Sequence, residues 1–327
     1  MKAVVITKPG GPEVLRLEDR PKPQPGIGQI RVRVRTSALN RADLMQREGN
    51  YPVPPGAPAD ISGMEYAGEV DTLGNAANLW SVGDRVMGIV GGGGHAEYLC
   101  VHEREAIPVP RSMPWEDAGA IPEAFLTGYD ALFNRLGLKL GETLLIHAVG
   151  SGVGTAAMQI ARCAGATVIG TARSATKLER AKGLGLEVAS DASSGEWVES
   201  IEKAVGAGRV NAVVDLVGGN YLEGNLRVLA PRGRIVVVGL TAGATAQLNM
   251  ELLLRKRLTI VGTVLRSRPL EEKFALARDF ATHAIPLFEA GRLKPVIDCV
   301  VPFAEIRAAH ELMESNGTFG KIVLRWD

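Results

Sequence analysis

The chain has 327 residues, long for a single hydrophobic core, so two domains are expected. A formal net charge of +1 at pH 7 leaves no electrostatic case for nucleic acid or an anionic membrane as partner. The three scattered cysteines, Cys100, Cys163 and Cys299, make neither a disulfide framework nor a C-x-x-C metal pair.

The first stretch, Met1 to Gly11, has too short an apolar run for a signal peptide, and nothing later reaches the length of a membrane span. A cytoplasmic protein is expected. The first hundred residues read as mostly β. Gln29 to Arg35 alternates apolar and basic side chains, which predicts one strand with its arginines on a solvated face. Short strand patterns recur at Tyr66 to Asp71, Asp84 to Val90 and Ala96 to Val101, separated by glycine turns, as in a partly closed barrel. Between them, Asn50 to Pro58 is a proline-stiffened loop carrying Tyr51, either a surface connection or one wall of a binding site.

The texture changes in the middle of the chain. Leu144, Leu145 and Ile146 form the short apolar run of a parallel strand covered on both faces. The chain then passes through Gly150 and Gly152 into a segment whose Val153, Ala156, Ala157, Ile160, Ala161 and Ala164 fall at helical spacing, with Gly165 as a cap. A strand, a glycine turn and a helix suit a pyrophosphate, because the helix start offers free N–H groups and the positive end of its dipole. The full G-x-G-x-x-G is broken by Thr155 at the third glycine, so the turn alone is also compatible with an ordinary strand-to-helix connection. Further strand patterns at Gly165 to Arg173, Asn211 to Val217, Arg234 to Gly239 and Thr259 to Thr263 alternate with helical ones. Together they predict an α/β domain with a doubly wound parallel sheet. The stretch Gly170 to Lys177 lacks the acidic residue with which NAD-specific units hold the ribose 2′-hydroxyl, which points to NADPH.

Several motifs in this order resemble the zinc-independent medium-chain dehydrogenase/reductases, in their NADPH:quinone oxidoreductase branch. They are Ser37-Ala-Leu-Asn-Arg-Ala-Asp43, Gly63-Met-Glu-Tyr-Ala-Gly68, Val82-Gly-Asp-Arg-Val86, Ala120-Ile-Pro-Glu-Ala-Phe-Leu-Thr127, Ile146 to Gly154 and Gly320-Lys-Ile-Val-Leu324. The resemblance covers essentially the whole chain. It implies a GroES-like, partly closed β-barrel catalytic domain of residues 1–122 and 266–327, a Rossmann NADPH-binding domain of residues 123–265 inserted between them, and an active site in the cleft between the two. It also implies residue roles. Asn40, Asp43 and Tyr51 match the catalytic side, and Thr127 a position beside the nicotinamide ribose. Gly150, Ser151, Gly152 and Val153 match the pyrophosphate turn. Ser174 and Lys177 match contacts to the 2′-phosphate, with Arg173 able to stack on adenine or pair with phosphate. Gly218, Gly239, Leu240, Val264 and Leu265 match strand ends that approach the cofactor. A tyrosine that relatives use near Ser190 to Ala192 is missing, with Asp191 there instead. Each of these positions also has a plainer reading, as a turn glycine, a core residue or, for Ser174, a helix cap.

The metal ligands of zinc-dependent relatives fall at Asn40, Met64 and Glu123, none of which is the usual ligand, and a run of glycines from Gly91 replaces the lobe of a second, structural zinc. His95 and His102 read as surface or hydrogen-bonded core residues, so no metal is expected. Without a Lewis acid, alcohol chemistry gives way to reduction of electron-poor conjugated carbonyls, whose reduced form is a delocalised anion. Quinones are the expected substrates, with Tyr51 or water supplying the proton; one-electron and hydride transfer both remain open. Two alternatives stand beside this reading: an NADPH-dependent enone or enoyl-thioester reductase, and a nucleotide-binding, crystallin-like protein with little turnover. The hydrophobic run Thr259 to Leu265 is expected near a sheet edge, where it either pairs with a second copy in a homodimer or is covered by the chain's own C-terminal segment.

Overall fold

A computed structural model describes residues 1–326. The chain divides into two compact units, one built from Met1–Leu126 together with the chain from Leu265 onward, the other from Thr127–Val264. Fifteen strands run through the described residues. In chain order β1 is Lys2–Ile6, β2 Leu15–Asp19, β3 Gln29–Ala38, β4 Glu65–Leu73, β5 Arg85–Ile89, β6 Tyr98–His102 and β7 Ile107–Pro108. In the second unit β8 is Thr143–Ile146, β9 Thr167–Ala172, β10 Val188–Asp191, β11 Val210–Asp215, β12 Leu229–Val237 and β13 Thr259–Gly262; β14, Ile297–Pro302, and β15, Lys321–Arg325, complete the first unit.

The first unit is organised on β3. Its ten residues are long enough to pair with three antiparallel neighbours, β6 along Gln29–Arg33, β4 along Ile30–Thr36 and β15 along Thr36–Ala38. One strand shared by three partners folds the sheet over on itself, giving the GroES-like barrel. Ile30, Val32 and Val34 point inward and are buried with Tyr66, Val70, Val86, Leu99 and Val101. Each such side chain contributes about 1.5–3 kcal/mol on burial, which fixes the register, because a slip by one residue would exchange the two faces.

The opposite face of β3 departs from expectation. Only Arg33 is exposed. Arg31 is 9% exposed, with its Nε 2.6 Å from Asp71 and its Nη1 donating to Pro23 O at 3.0 Å; Arg35 is half-buried against Glu69 at 2.8 Å. Alternation predicts which side an arginine takes, but the acids across the strand pair and the segment folded over it decide whether that side is wet.

In the second unit the six strands are all parallel, in the order β10-β9-β8-β11-β12-β13, which is the Rossmann arrangement. Leu144, Leu145 and Ile146 of β8 are fully buried, as a central parallel strand requires. Strand order reverses between β8 and β11, so the ends of these two strands form the switch point where such sheets bind ligands. β13 is an edge strand, paired among the described residues with β12 alone.

Candidate active site

The Rossmann unit carries its polar groups at that switch point. After β8 the chain turns through Ala148, held at φ 48°, and enters the helix Gly152–Cys163. Ser151 caps this helix, its Oγ accepting from Gly154 N at 3.0 Å. A side chain at Gly154 would put its Cβ 2.5 Å from Ala148 O, so only glycine lets the helix start this close to the strand. The first-turn N–H groups of Gly152 and Val153 have no acceptor within the helix and are the donors available to an anion. Gly165 follows the helix at φ 75°, the left-handed cap that ends it.

A buried polar chain braces the turn from beneath. Asp215, at the end of β11, accepts from Val217 N at 2.9 Å and Gly218 N at 2.8 Å through one oxygen and from Asn225 Nδ2 at 3.0 Å through the other. A carboxylate only accepts, so the Asn225 amide is oriented with Oδ1 toward His147 Nε2, 2.6 Å away. Neutral His147 must then carry its proton on Nε2 and accept from the Thr171 hydroxyl at 2.8 Å through Nδ1. Burial lowers its pKa, with the Asp215 charge acting against it. The network ties β8, β9 and β11 together at the ends that bear Gly150 and Gly218.

Further positions singled out in the sequence lie in the same unit. At the end of β9, Arg173 is exposed and Ser174 caps the helix Ala175–Gly183, accepting from Lys177 N at 3.4 Å. Capping uses an oxygen lone pair and leaves the hydroxyl proton for a ligand. Asp191 ends β10, which pairs with β9 through Asp191 and Ala172, so an acid sits beside this cationic end. Gly239 follows β12, where a Cβ would come 2.6 Å from Leu216 O; Leu240 and Val264 are exposed, while Thr127 is buried. The turn donors and the cationic Arg173–Lys177 stretch offer groups of the right charge for the phosphates of a dinucleotide.

In the barrel unit, Asn40 ends the β3 segment in an extended conformation and precedes the helix Arg41–Arg47. Asp43, wholly buried, accepts from Asn40 N at 2.8 Å and from Gly63 N at 3.0 Å. Both of its oxygens hold backbone. The Asn40 amide is equally committed: Nδ2 donates to Glu65 Oε1 at 2.8 Å and to Ala38 O at 3.3 Å, and Oδ1 accepts from Lys321 Nζ at 2.6 Å. Lys321 completes its three bonds with Glu65 Oε1 at 2.7 Å and Leu39 O at 3.2 Å. Glu65, with no exposed surface, uses its second oxygen on Glu123 N at 2.8 Å. Asn40 and Glu123, two of the positions matching metal ligands in relatives, are therefore tied through one carboxylate to an ammonium. Among the described residues no three His, Cys, Asp or Glu side chains are grouped to hold a metal ion. His95 is fully buried with Nδ1 2.9 Å from Ser62 Oγ, while the half-buried His102 lies with its ring centroid 4.5 Å from that of Phe274.

Tyr51 is half-buried in its proline-rich loop, with the Arg266 guanidinium 4.9 Å from its ring centroid. Burial pushes the phenol pKa up and the Glu123 carboxylate adds to this, while Arg266 works the other way. The phenol is thus a neutral hydrogen-bond donor at pH 7. Sequence reasoning did not single out Glu65 and Lys321, which hold Asn40, or Arg266, which lies over the Tyr51 ring. Glu65 and Lys321 stood inside the quoted Gly63–Gly68 and Gly320–Leu324 motifs, which was the available signal.

Two family descriptions match the chain: an alcohol dehydrogenase GroES-like domain over residues 26–111 and a zinc-binding dehydrogenase over residues 152–282. Among curated proteins, the rat synaptic vesicle membrane protein VAT-1 homolog is 32% identical over 99% of this chain and 84% of its own length. Human quinone oxidoreductase is 30% identical over 99% and 97%. Among solved structures, an NAD-dependent alcohol dehydrogenase superposes with a TM-score of 0.86 at 33% identity, covering 99% of both chains. A mycobacterial protein complexed with NADPH gives 0.87 at 27% identity over 99% of this chain and 100% of that one. No described helix is long and apolar enough to cross a membrane.

Proposed function

The chain belongs to the medium-chain dehydrogenase/reductase family of oxidoreductases, and from that premise we propose that it reduces quinones with NADPH, without a catalytic metal. The observation that carries this reading is the Asn40–Glu65–Lys321 cluster. Where relatives bring metal ligands together, this chain has a buried ammonium whose three donors are all engaged. Reduction of an electron-poor conjugated carbonyl needs little Lewis-acid help, because the reduced form spreads its charge. The name of human quinone oxidoreductase supports the same substrate class.

When bound, the cofactor supplies the hydride. The protein's part is positioning and proton supply. Asp43 and Asn40, with their polar atoms spent on backbone, Glu65 and Lys321, act as positioning residues that hold the turn leading into the helix Arg41–Arg47. Tyr51, kept neutral by burial, donates to the substrate oxygen and passes it a proton, which solvent restores. Gly150, Ser151, Gly152 and Val153 hold the pyrophosphate. The absence of an acid between Gly170 and Lys177 supports NADPH over NADH, with Arg173, Ser174 and Lys177 around the 2′-phosphate. The unpaired side of β13 supports a homodimer.

Steady-state oxidation of NADPH with benzoquinones and naphthoquinones, then with small enones and enoyl thioesters, tests the reading. It predicts kcat/KM highest for a quinone. A far higher value for an enone or thioester would reassign the substrate, and turnover of none of them would indicate a binding protein.

A further inference from the structure

We propose that Arg266 and Gln46 form the hydrogen-bond donor pair that receives the substrate's carbonyl oxygen as it becomes an oxyanion, through Arg266 Nη1 and Gln46 Nε2. This rests on the reading above that a conjugated carbonyl is reduced beside Tyr51.

The observation is a buried cation with an unfilled bond. Arg266 is 4% exposed and Gln46 6%. Arg266 Nε donates to Gly91 O at 2.7 Å and Nη2 to Gln46 Oε1 at 2.7 Å. A guanidinium can only donate, so the bond from Nη2 fixes the Gln46 amide with its oxygen toward Arg266 and its Nε2 turned away. Arg266 Nη1 and Gln46 Nε2 are then left buried and without a partner. No carboxylate among the described residues forms an ion pair with Arg266. Native proteins leave few buried donors unsatisfied, and an unpaired buried charge is costlier still. In the proposed reaction these two unfilled donors, on side chains hydrogen-bonded to each other and one of them charged, are the pair that meets a negative oxygen.

The neighbouring group has the matching chemistry. Tyr51, over whose ring Arg266 lies, presents a neutral phenol. A quinone or enone that has received a hydride carries the electron pair of its former carbonyl π bond on oxygen. Arg266 Nη1 and Gln46 Nε2 donate hydrogen bonds to that oxygen, and the Tyr51 proton then transfers to it, giving a hydroquinone or an enol. Water returns the proton to Tyr51. The two electrons come from the nicotinamide of the proposed activity, and no further oxidant or reductant is needed. Hydrogen bonds that strengthen as charge develops stabilise the transition state more than the substrate.

A phenolate mimics the reduced oxygen and can be read without turnover. 4-Nitrophenol is titrated into the purified full-length protein across its ionisation range, and phenolate absorbance reports the bound form; 4-nitroanisole, which cannot ionise, is the comparator. The expected result is that the bound phenol ionises at lower pH than the free one and that phenolate binds tighter than the anisole. Arg266→Met abolishes this preference. Because Arg266 also holds Gly91 O, Gln46→Met is the second variant: it keeps the guanidinium, weakens phenolate binding about tenfold, equivalent to about 1.4 kcal/mol, and leaves anisole binding unchanged. Equal binding of phenolate and anisole by the unmodified protein, equal phenolate binding by the protein and Gln46→Met, or displacement of phenolate by inorganic phosphate at similar concentration would overturn the proposal. Phenolate preference in a protein that turns over no conjugated carbonyl would leave this site standing and reject the function; quinone turnover without the preference would do the reverse.

Discussion

Replacing Lys321 by Met should be among the most damaging single changes in the barrel unit. The Lys321 and Glu65 side chains are 5% and 0% exposed and lie 2.7 Å apart. That burial decides the magnitude. An exposed ion pair is worth about 0–1 kcal/mol, whereas removing one partner of a buried pair costs about 3–5 kcal/mol, because the other charge remains desolvated. Lys321→Met leaves Glu65 with only the Asn40 amide and Glu123 N–H as partners, and removes the bonds to Asn40 Oδ1 and Leu39 O as well. A loss of about 4 kcal/mol is expected, a large part of the 5–15 kcal/mol that a typical protein has. Two compact units need not unfold in one step, so the readout is native-state hydrogen exchange of the β3 and β15 amides, not a global melt. Adding Glu65→Gln should recover about 2 kcal/mol or more, since it removes the stranded charge. A loss below about 1 kcal/mol, or a double variant as unstable as the sum of the two singles, would refute a desolvated, mutually dependent pair.

Lys177→Ala should raise the dissociation constant for NADPH by the equivalent of about 1.5–3 kcal/mol, the scale of a charged hydrogen bond, with NADH little changed; equal losses for both, measured by fluorescence titration, would reject the 2′-phosphate assignment. Burial holds the pKa of His95 down and that of His310 down to about 3, so both are neutral in the folded protein. The unfolded chain takes up these protons near pH 6.5, so their contribution to stability is complete above that pH and is lost as pH falls toward the folded values, by up to about 1.4 kcal/mol per pH unit for each. His310→Gln should flatten the acid side of a denaturation series between about pH 6.5 and 5, and an unchanged slope would show that His310 already binds its proton when folded. Light scattering at micromolar concentration should find two copies, and Leu254→Lys, at a side chain 76% exposed in the β13 unit, should weaken that association; a monomer would reject the dimer.

The Rossmann sheet was legible because its signals are local. The apolar run at Leu144–Ile146, the glycines and the small-faced helix after them lie within about twenty residues, and each element's period survives unchanged into the fold. The buried polar clusters of the barrel unit were less legible because their partners are far apart in sequence. Glu65 and Lys321 are separated by 256 residues and Gln46 and Arg266 by 220, so neither pair leaves a spacing to read. Arg31 is the same lesson on one strand: period two told its side, but its burial depends on Asp71 and Pro23. Asn40 and Asp43 stand out in the sequence through the motif, while the hydrogen bonds that saturate them needed the structure.

The central claim is metal-free reduction of a quinone by NADPH, and its most direct test is anaerobic turnover after exhaustive chelation. The protein, with its metal content assayed, is mixed with NADPH and a benzoquinone, and cofactor oxidation and hydroquinone formation are followed together. The account predicts one NADPH consumed per hydroquinone formed, at a rate that chelation leaves unchanged. Activity that disappears with the chelator and returns with zinc would contradict it.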